Sequence, residues 1–279
     1  MADTVLITGA SQGIGKATTL LFAHKGYNVV LAARQADRLE AVASEVREAQ
    51  LSRRESLGCD ALAVPTDVKD PEQVKTLVQK ALDHYGSIDV LINNAGLYLL
   101  GPVEEFSLSD WHEAIDTNLW GYIHTIHALL PHFLERGSGT IVNVSSIGGK
   151  VPIPYQVPYT ASKYAVTGLT ESLHAELSPK GIHVCGVHPN FIKTDLMERA
   201  IFRGKDEQDT QERHDLVEKA LNTPVLEKPE KVAQAIWNAV KHQRSDVMVG
   251  SANMSNAAYK LFPGAMQSVF RKSFATKES

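Results

Sequence analysis

"TVLITGASQGIGKA", Thr4 to Ala17, runs from an apolar β-branched stretch through a glycine-rich turn into a helical pattern. The apolar stretch is continuous rather than alternating, which suits a strand buried on both faces. Gly9, Gly13 and Gly15 permit a tight turn and a close approach of backbone to phosphate. The helix that follows offers unpaired N–H groups and the positive end of its dipole. Strand, glycine turn and helix, in that order, open a nucleotide-binding α/β fold. The spacing is not Gly-x-Gly-x-x-Gly, and a tight strand–helix turn without a ligand is the alternative.

Six more apolar runs follow: "NVVLAA", "LAVPTD", "IDVLIN", "GTIVNVSS", "IHVCGVHP" and "DVMVG". Helical patterns lie between them, around residues 13–25, 36–50, 71–85, 110–135, 160–178 and 229–242. Asp70-Pro71 opens one helix, and Gly26 and Gly181 follow two others. This alternation specifies a parallel sheet covered by helices on both faces. Nothing divides the chain, so residues 1–250 read as one domain and 251–279 as an extension of it. Residues 190–228 are the least regular part, and the charged segment "RGKDEQDTQERHD" within them reads as a mobile flank of a substrate loop.

The chain has 279 residues, 43% hydrophobic and 22% charged, with a net charge of −4, a composition that supports a full core and offers no basic block for nucleic acid. Cys59 and Cys185 lie in or near apolar runs and read as reduced core thiols. The first strand begins by Thr4 and no run reaches membrane-spanning length, so the expectation is an intracellular, cytoplasmic protein. His124 and His127 are spaced i, i+3, but no carboxylate or cysteine completes a metal site there. His188 reads as strand-end packing, with substrate contact as the alternative.

The second strand ends "LAAR". An NAD site carries an acid there for the ribose 2′-OH; here Ala33 is followed by Arg34, which can pair with a 2′-phosphate. That favours NADP(H), with a solvated arginine and NAD(H) as the alternatives. Asp37, slightly later, reads as a helix cap. Farther on, "YTASK" places Tyr159 and Lys163 one helical turn apart on one face. A cation there would pull the phenol's pKa down toward a range useful for proton transfer.

Together, "TGASQGIG", "NNAG" (Asn93 to Gly96), Asn118, "NVSS" (Asn143 to Ser146) and "YTASK" resemble, in order and spacing, the classical short-chain dehydrogenases/reductases. The resemblance covers roughly Thr4 to Gly250. It implies a Rossmann-type, doubly wound, seven-stranded sheet and reversible hydride transfer between a nicotinamide and a carbonyl or alcohol. It implies Tyr159 as general acid/base, Lys163 lowering its pKa and holding the ribose, and Asn118 supporting a proton-relay water. It selects Ser146, thirteen positions before the tyrosine, to polarise the substrate oxygen. Ser145 would point to the opposite face and bond the backbone. Cofactor positions implied are Gly9, Ser11, Gly13, Ile14 and Gly15 at the phosphates, Asp67 and Val68 around adenine, and Asn94, Ala95 and Gly96 at the middle. Pro189, Ile192 and Thr194 would meet the nicotinamide end. Asn190 stands where the family has glycine, and asparagine tolerates positive φ better than most residues. Family habit also implies a homodimer or homotetramer. A cofactor-binding redox sensor without turnover is the alternative of another class, although the full catalytic set argues against it.

Leu97, Leu99, Phe191, Met197, Ile201 and Phe202 suggest an apolar substrate pocket. In the tail, Phe262, Met266, Val269, Phe270 and Ser273 follow a helical period beside Lys260, Arg271 and Lys272. Membrane contact, subunit packing and closure of the pocket are all open to such a helix, and Pro263-Gly264 interrupts its apolar face.

Overall fold

The computed structural model describes residues 2–51, 59–192, 199–221 and 227–275. The chain runs through β1 (Thr4–Thr8), α1 (Gly13–His24), β2 (Asn28–Ala33), α2 (Ala36–Leu51), β3 (Ala61–Pro65), α3 (Pro71–Tyr85), β4 (Val90–Asn93) and β5 (Leu99–Leu100). It continues through α4 (Leu108–Ile115), α5 (Gly121–Arg136), β6 (Gly139–Val144), α6 (Val157–Leu177), β7 (Ile182–His188) and β8 (Ile201–Phe202). The last elements are α7 (Glu207–Leu221), α8 (Pro229–His242), β9 (Asp246–Met248), α9 (Ala252–Leu261) and α10 (Pro263–Ala275).

Seven strands form one parallel sheet in the order β3-β2-β1-β4-β6-β7-β9. Each is one of the apolar runs of the sequence. Successive residues of β1 serve opposite faces, as the two-residue period of a strand requires. Val5 and Ile7 pack with Phe22 of α1, Leu39 of α2 and Ile236 of α8. Leu6 packs with Leu77 of α3 and Phe133 of α5. Both faces are therefore covered, and the sheet is Rossmann-type and doubly wound. The strand order reverses between β1 and β4, and a crevice opens there at the carboxyl ends of the strands.

Local chemistry sets the helix starts. Asp70 caps α3 by accepting from the Glu72 and Gln73 N–H groups, with Pro71 at the first position. Ser107 and Asp110 form a reciprocal capping box at α4. Asp37 is not a cap; it lies in the first turn of α2, where its charge favours the helix dipole.

Three features depart from expectation. The helix anticipated over 110–135 starts at Leu108 and is broken by a π turn at Asp116–Trp120, which carries Asn118. The segment expected to be a mobile flank is largely the helix α7. A second sheet, β5 with β8, joins Leu99 to Ile201 and Leu100 to Phe202, and none of these four, Leu99, Ile201 and Phe202 expected in the substrate pocket among them, lines the crevice. Arg203 fixes that sheet to the α4 cap through two bonds to Asp110, at 2.6 and 3.0 Å.

The tail folds back. Tyr259 of α9 and Phe270 of α10 pack on a cluster of Ile147, Val151, Ile153 and Met248. Met254, Leu261, Phe262 and Val269 stay exposed. No described helix is long and apolar enough to cross a membrane.

Candidate active site

The β1–α1 turn builds one end of the crevice. Gly9 has φ +66°, and a Cβ there would lie 2.9 Å from the Ala95 backbone. A Cβ on Gly15 would lie 2.1 Å from the Gly9 carbonyl. Gly15 therefore serves close turn packing and does not line the groove, whereas Gly9, Ser11, Gly13 and Ile14 do. The turn is tied to β4: Asn94 Nδ2 donates to the Thr8 and Gly9 carbonyls at 3.0 and 3.3 Å. The Asn94 and Ala95 N–H groups donate to the Thr8 hydroxyl at 3.0 and 3.1 Å. Gln12 precedes α1 without capping it, and no acid stands in the first turn. Its side chain is engaged elsewhere, by Arg38 at 2.9 Å and Arg199 at 3.1 Å. The first N–H groups of α1 thus face the groove with a positive dipole, a cradle that fits a pyrophosphate.

Arg34 is exposed and lines the same end, with Asp67 and Val68 across from it. Arg38 and Arg199 make the region more cationic than Arg34 alone suggests. Arg199 also reaches Gln35 at 2.8 Å, bringing the chain after β7 over to the β2 edge. Neither stood out in the sequence, because their sequence neighbours carry no motif. His124 is engaged as a structural group, its Nδ1 lying 2.9 Å from the Val68 carbonyl.

The strand ends behind the groove are held by a buried polar ladder. Asn93 and Asn143 are register partners on β4 and β6. Asn93 donates to Asn143 at 3.0 Å, Asn143 donates to Thr170 at 2.9 Å, and Thr125 donates to Asn93 at 2.6 Å. Two asparagines at the ends of neighbouring apolar strands were the available signal.

At the other end, β6 delivers Ser146 and α6 delivers Tyr159 and Lys163. A Cβ on Gly148 would lie 3.5 Å from both Ser146 Oγ and the Tyr159 ring, so the two side chains are neighbours. The Gly148 N–H donates to Ser146 Oγ at 3.0 Å. That bond occupies an acceptor lone pair and leaves the hydroxyl proton for another partner. Ser145 faces away, with its Oγ 3.1 Å from the Lys163 carbonyl, as strand alternation requires.

Burial dominates the titration of both α6 groups. It pushes the Tyr159 phenol up, and the Ser146 hydroxyl opposes this. Burial pulls Lys163 down to about 7. The expected lowering of Tyr159 by Lys163 does not prevail among the protein's own groups. Lys163 Nζ donates to the Val144 carbonyl at 3.0 Å and lies 5.9 Å from the Tyr159 ring centroid. It lies closer, at 5.3 Å, to the ring of Tyr122.

Asn118 does not line the groove, although Thr117 beside it does. Its amide pairs with the Leu97 backbone in both directions, at 2.7 and 2.9 Å, and donates to Ser162 at 2.9 Å. The π turn gives Asn118 that reach. Asn94, Ala95, Gly96, Pro189 and Ile192 line the groove; Thr194 and Met197 lie outside the described residues. Asn190 does not adopt positive φ and instead donates to Ser251 at 2.7 Å. His188 is buried away from the groove and pairs with Asp246 at 2.7 Å. Cys59 and Cys185 are buried thiols that form no disulfide.

The family model described as short chain dehydrogenase matches residues 3–203. The 3-oxoacyl-[acyl-carrier-protein] reductase FabG of Staphylococcus aureus is 36% identical over 212 residues, 76% of this chain and 83% of that protein. A short-chain dehydrogenase/reductase from Burkholderia phymatum, solved with NAD, superposes with TM-score 0.84 at 25% identity, covering 95% of each chain. A short-chain dehydrogenase from Sphingobium yanoikuyae, solved with NADPH, gives TM-score 0.75 at 29% identity over 96% of this chain and 94% of that one.

Proposed function

The chain belongs to the short-chain dehydrogenase family of oxidoreductases, and from that premise we propose that it is an NADP(H)-dependent enzyme interconverting a ketone or aldehyde and its alcohol. One observation carries the reading: Ser146, Tyr159 and Lys163 converge at one end of a groove whose other end is a glycine turn beside Arg34.

A bound nicotinamide would supply or accept the hydride. Gly9, Ser11, Gly13 and Ile14 would hold its pyrophosphate, Asp67 and Val68 would flank the adenine, and Asn94, Ala95 and Gly96 would line its middle. Pro189 and Ile192 would meet the nicotinamide end, with Thr194 expected beside them. The protein's own part is to receive charge and move one proton. Ser146 donates to the substrate oxygen as negative charge builds there. Tyr159, held protonated by burial, delivers its proton to that oxygen and becomes a phenolate. Lys163, its Nζ 5.9 Å from the Tyr159 ring centroid, stabilises that anion as the phenolate forms. Oxidation runs the same proton backwards. Asn118 acts through position, clamping Leu97 at the groove wall and Ser162 on α6; the relay water of the family reading would sit beside it.

Arg34, with Arg38 and Arg199 nearby, supports NADP(H) over NAD(H). Leu97, Ile147, Ile153, Phe191 and Ile192 give the substrate end an apolar wall, which supports an apolar substrate. Trp120, Leu134, Val157 and Tyr164 leave exposed apolar surface around α5 and α6, which supports a homo-oligomer; light scattering should find a dimer or tetramer. The decisive experiment is reduction of a ketone and aldehyde panel with NADPH and NADH in parallel, by wild type and Tyr159→Phe. Turnover with NADPH that vanishes in the variant supports the assignment. A sensor would bind cofactor and turn over nothing.

A further inference from the structure

The tail beyond β9 carries apolar surface that the site described above does not use. Met254, Leu261, Phe262 and Val269 are between 55% and 74% exposed. Met254 and Leu261 stand seven residues apart, two helical turns, so they share one face of α9. Phe262 and Val269 repeat that spacing into α10, with the exposed Ala265 between them. Other side chains of the pair are committed to the protein. Ala252 is buried, and Tyr259 and Phe270 pack on the cluster of Ile147, Val151 and Ile153. Ile147 and Ile153 also line the groove. One set of side chains thus fastens the tail, and another is held out in solvent.

The charge of the tail selects what covers that surface. The whole chain carries −4, yet no acidic residue occurs between Asp246 and Glu278. Lys260, Arg271 and Lys272 lie in that stretch, and the first two are exposed. Lys260 adjoins Leu261 at the end of α9, and Arg271 follows Val269 by two residues on α10. A second copy of the chain fits this face poorly. In a twofold contact each surface meets itself, so these cations would face one another with no acid in the stretch to neutralise them. An anionic bilayer supplies both complements, apolar depth for the four side chains and negative charge for the cations. Lys and Arg stems reach back to the headgroups while their apolar neighbours sink deeper. At 10 and 13 residues, α9 and α10 are each shorter than a spanning helix and suit a position in the interface plane.

We propose that α9 and α10 dock this protein on the surface of an anionic bilayer. Met254, Leu261, Phe262 and Val269 enter the boundary between headgroups and acyl chains, and Lys260 and Arg271 meet the lipid phosphates. Because the same two helices pack on Ile147 and Ile153, docking brings the apolar end of the groove to within about one helix diameter, ~10 Å, of the lipid. The inference stands apart from the hydride-transfer reading, since binding to lipid is measured without turnover.

The test is flotation of the full chain with phosphatidylcholine vesicles that contain phosphatidylglycerol, beside vesicles of phosphatidylcholine alone. Wild type should float with the anionic vesicles at low salt and be largely released at about 0.5 M NaCl, where charges are screened within a few ångströms. Lys260→Gln combined with Arg271→Gln should weaken partitioning by about 30-fold, roughly fivefold for each cation. Leu261→Ser combined with Phe262→Ser should weaken it by about 10-fold or more, at low salt as well. Both variants change exposed side chains, so their thermal midpoints should stay at the wild-type value. Light scattering tests the other occupant. A dimer that Leu261→Ser with Phe262→Ser dissolves, in a protein that does not float, would assign the face to a second copy and overturn the proposal. Absence of flotation on anionic vesicles, equal flotation on both lipids, or variants that float as well as wild type would overturn it too.

Discussion

The two ends of the groove handle polar groups in opposite ways. At the glycine turn the protein satisfies its own: Asn94 is spent on Thr8 and Gly9, and Asn93 is paired through Asn143 to Thr170. At the substrate end, Ser146 accepts from the Gly148 N–H and keeps its own proton for the Tyr159 phenol or a ligand, and Gln156 and Tyr98 line the groove with no side-chain hydrogen bond among the described residues. A fully bonded network rigidifies, which suits an invariant pyrophosphate. Unspent donors suit a ligand that must be chosen. The difference separates holding from selecting within one crevice.

The strongest way to break the comparison is at the selecting end. Tyr159→Phe should lower kcat by about 10²–10⁴-fold, the usual worth of a positioned general acid, while NADPH binding by fluorescence persists. Loss of binding along with turnover would make Tyr159 part of the rigid end instead. At the holding end, Arg34→Ala should weaken NADPH by about 1.5–3 kcal/mol, the range for hydrogen bonds to charged groups, and NADH far less. Equal losses measured by isothermal titration would detach Arg34 from the 2′-phosphate.

A slightly smaller effect belongs to the ladder behind the turn. Asn143→Ala leaves Asn93 short of a buried partner and should cost about 1–3 kcal/mol in denaturant unfolding. An unchanged midpoint would mean that the ladder is not rigidifying anything. The smallest effect is on pH. The Asp246 carboxyl is held down, from 3.8 to about 2, first by its hydrogen bond from His188 and against the pull of burial, with Lys150 adding to the attraction. A lowered carboxyl contributes stability above its ordinary value and loses it as pH falls through the folded one. Thermal midpoints should therefore fall across that acid window, and Asp246→Asn should flatten that slope. A slope unchanged by the substitution would assign it elsewhere.

The holding end was the more legible in sequence, for physical reasons. Continuous apolar runs and the Asp70 cap act locally, so seven strands and the helices around them could be read directly. Glycines where φ or contact distance excludes a Cβ leave a local mark as well. The selecting end depends on contacts distant in sequence. β5 and β8 are two residues each and pair across about a hundred positions, with no local signal. The first nine residues of α7 are polar, and its apolar residues, Leu216, Val217, Ala220 and Leu221, are confined to its last turns. The π turn serves the Asn118 clamp on Leu97, which only tertiary structure supplies. Tyr155, with φ +62°, has no sequence signature, and Gln156 between prolines looks like ordinary loop. Thr194 was read from the resemblance alone and lies outside the described residues.

The most direct measurement is the decay of nicotinamide absorbance with NADPH and a graded ketone panel, wild type beside Tyr159→Phe. Turnover with NADPH should exceed that with NADH and should fall by about 10²–10⁴-fold in the variant. Undiminished turnover by Tyr159→Phe, or tight NADPH binding with no turnover across the panel, would contradict it.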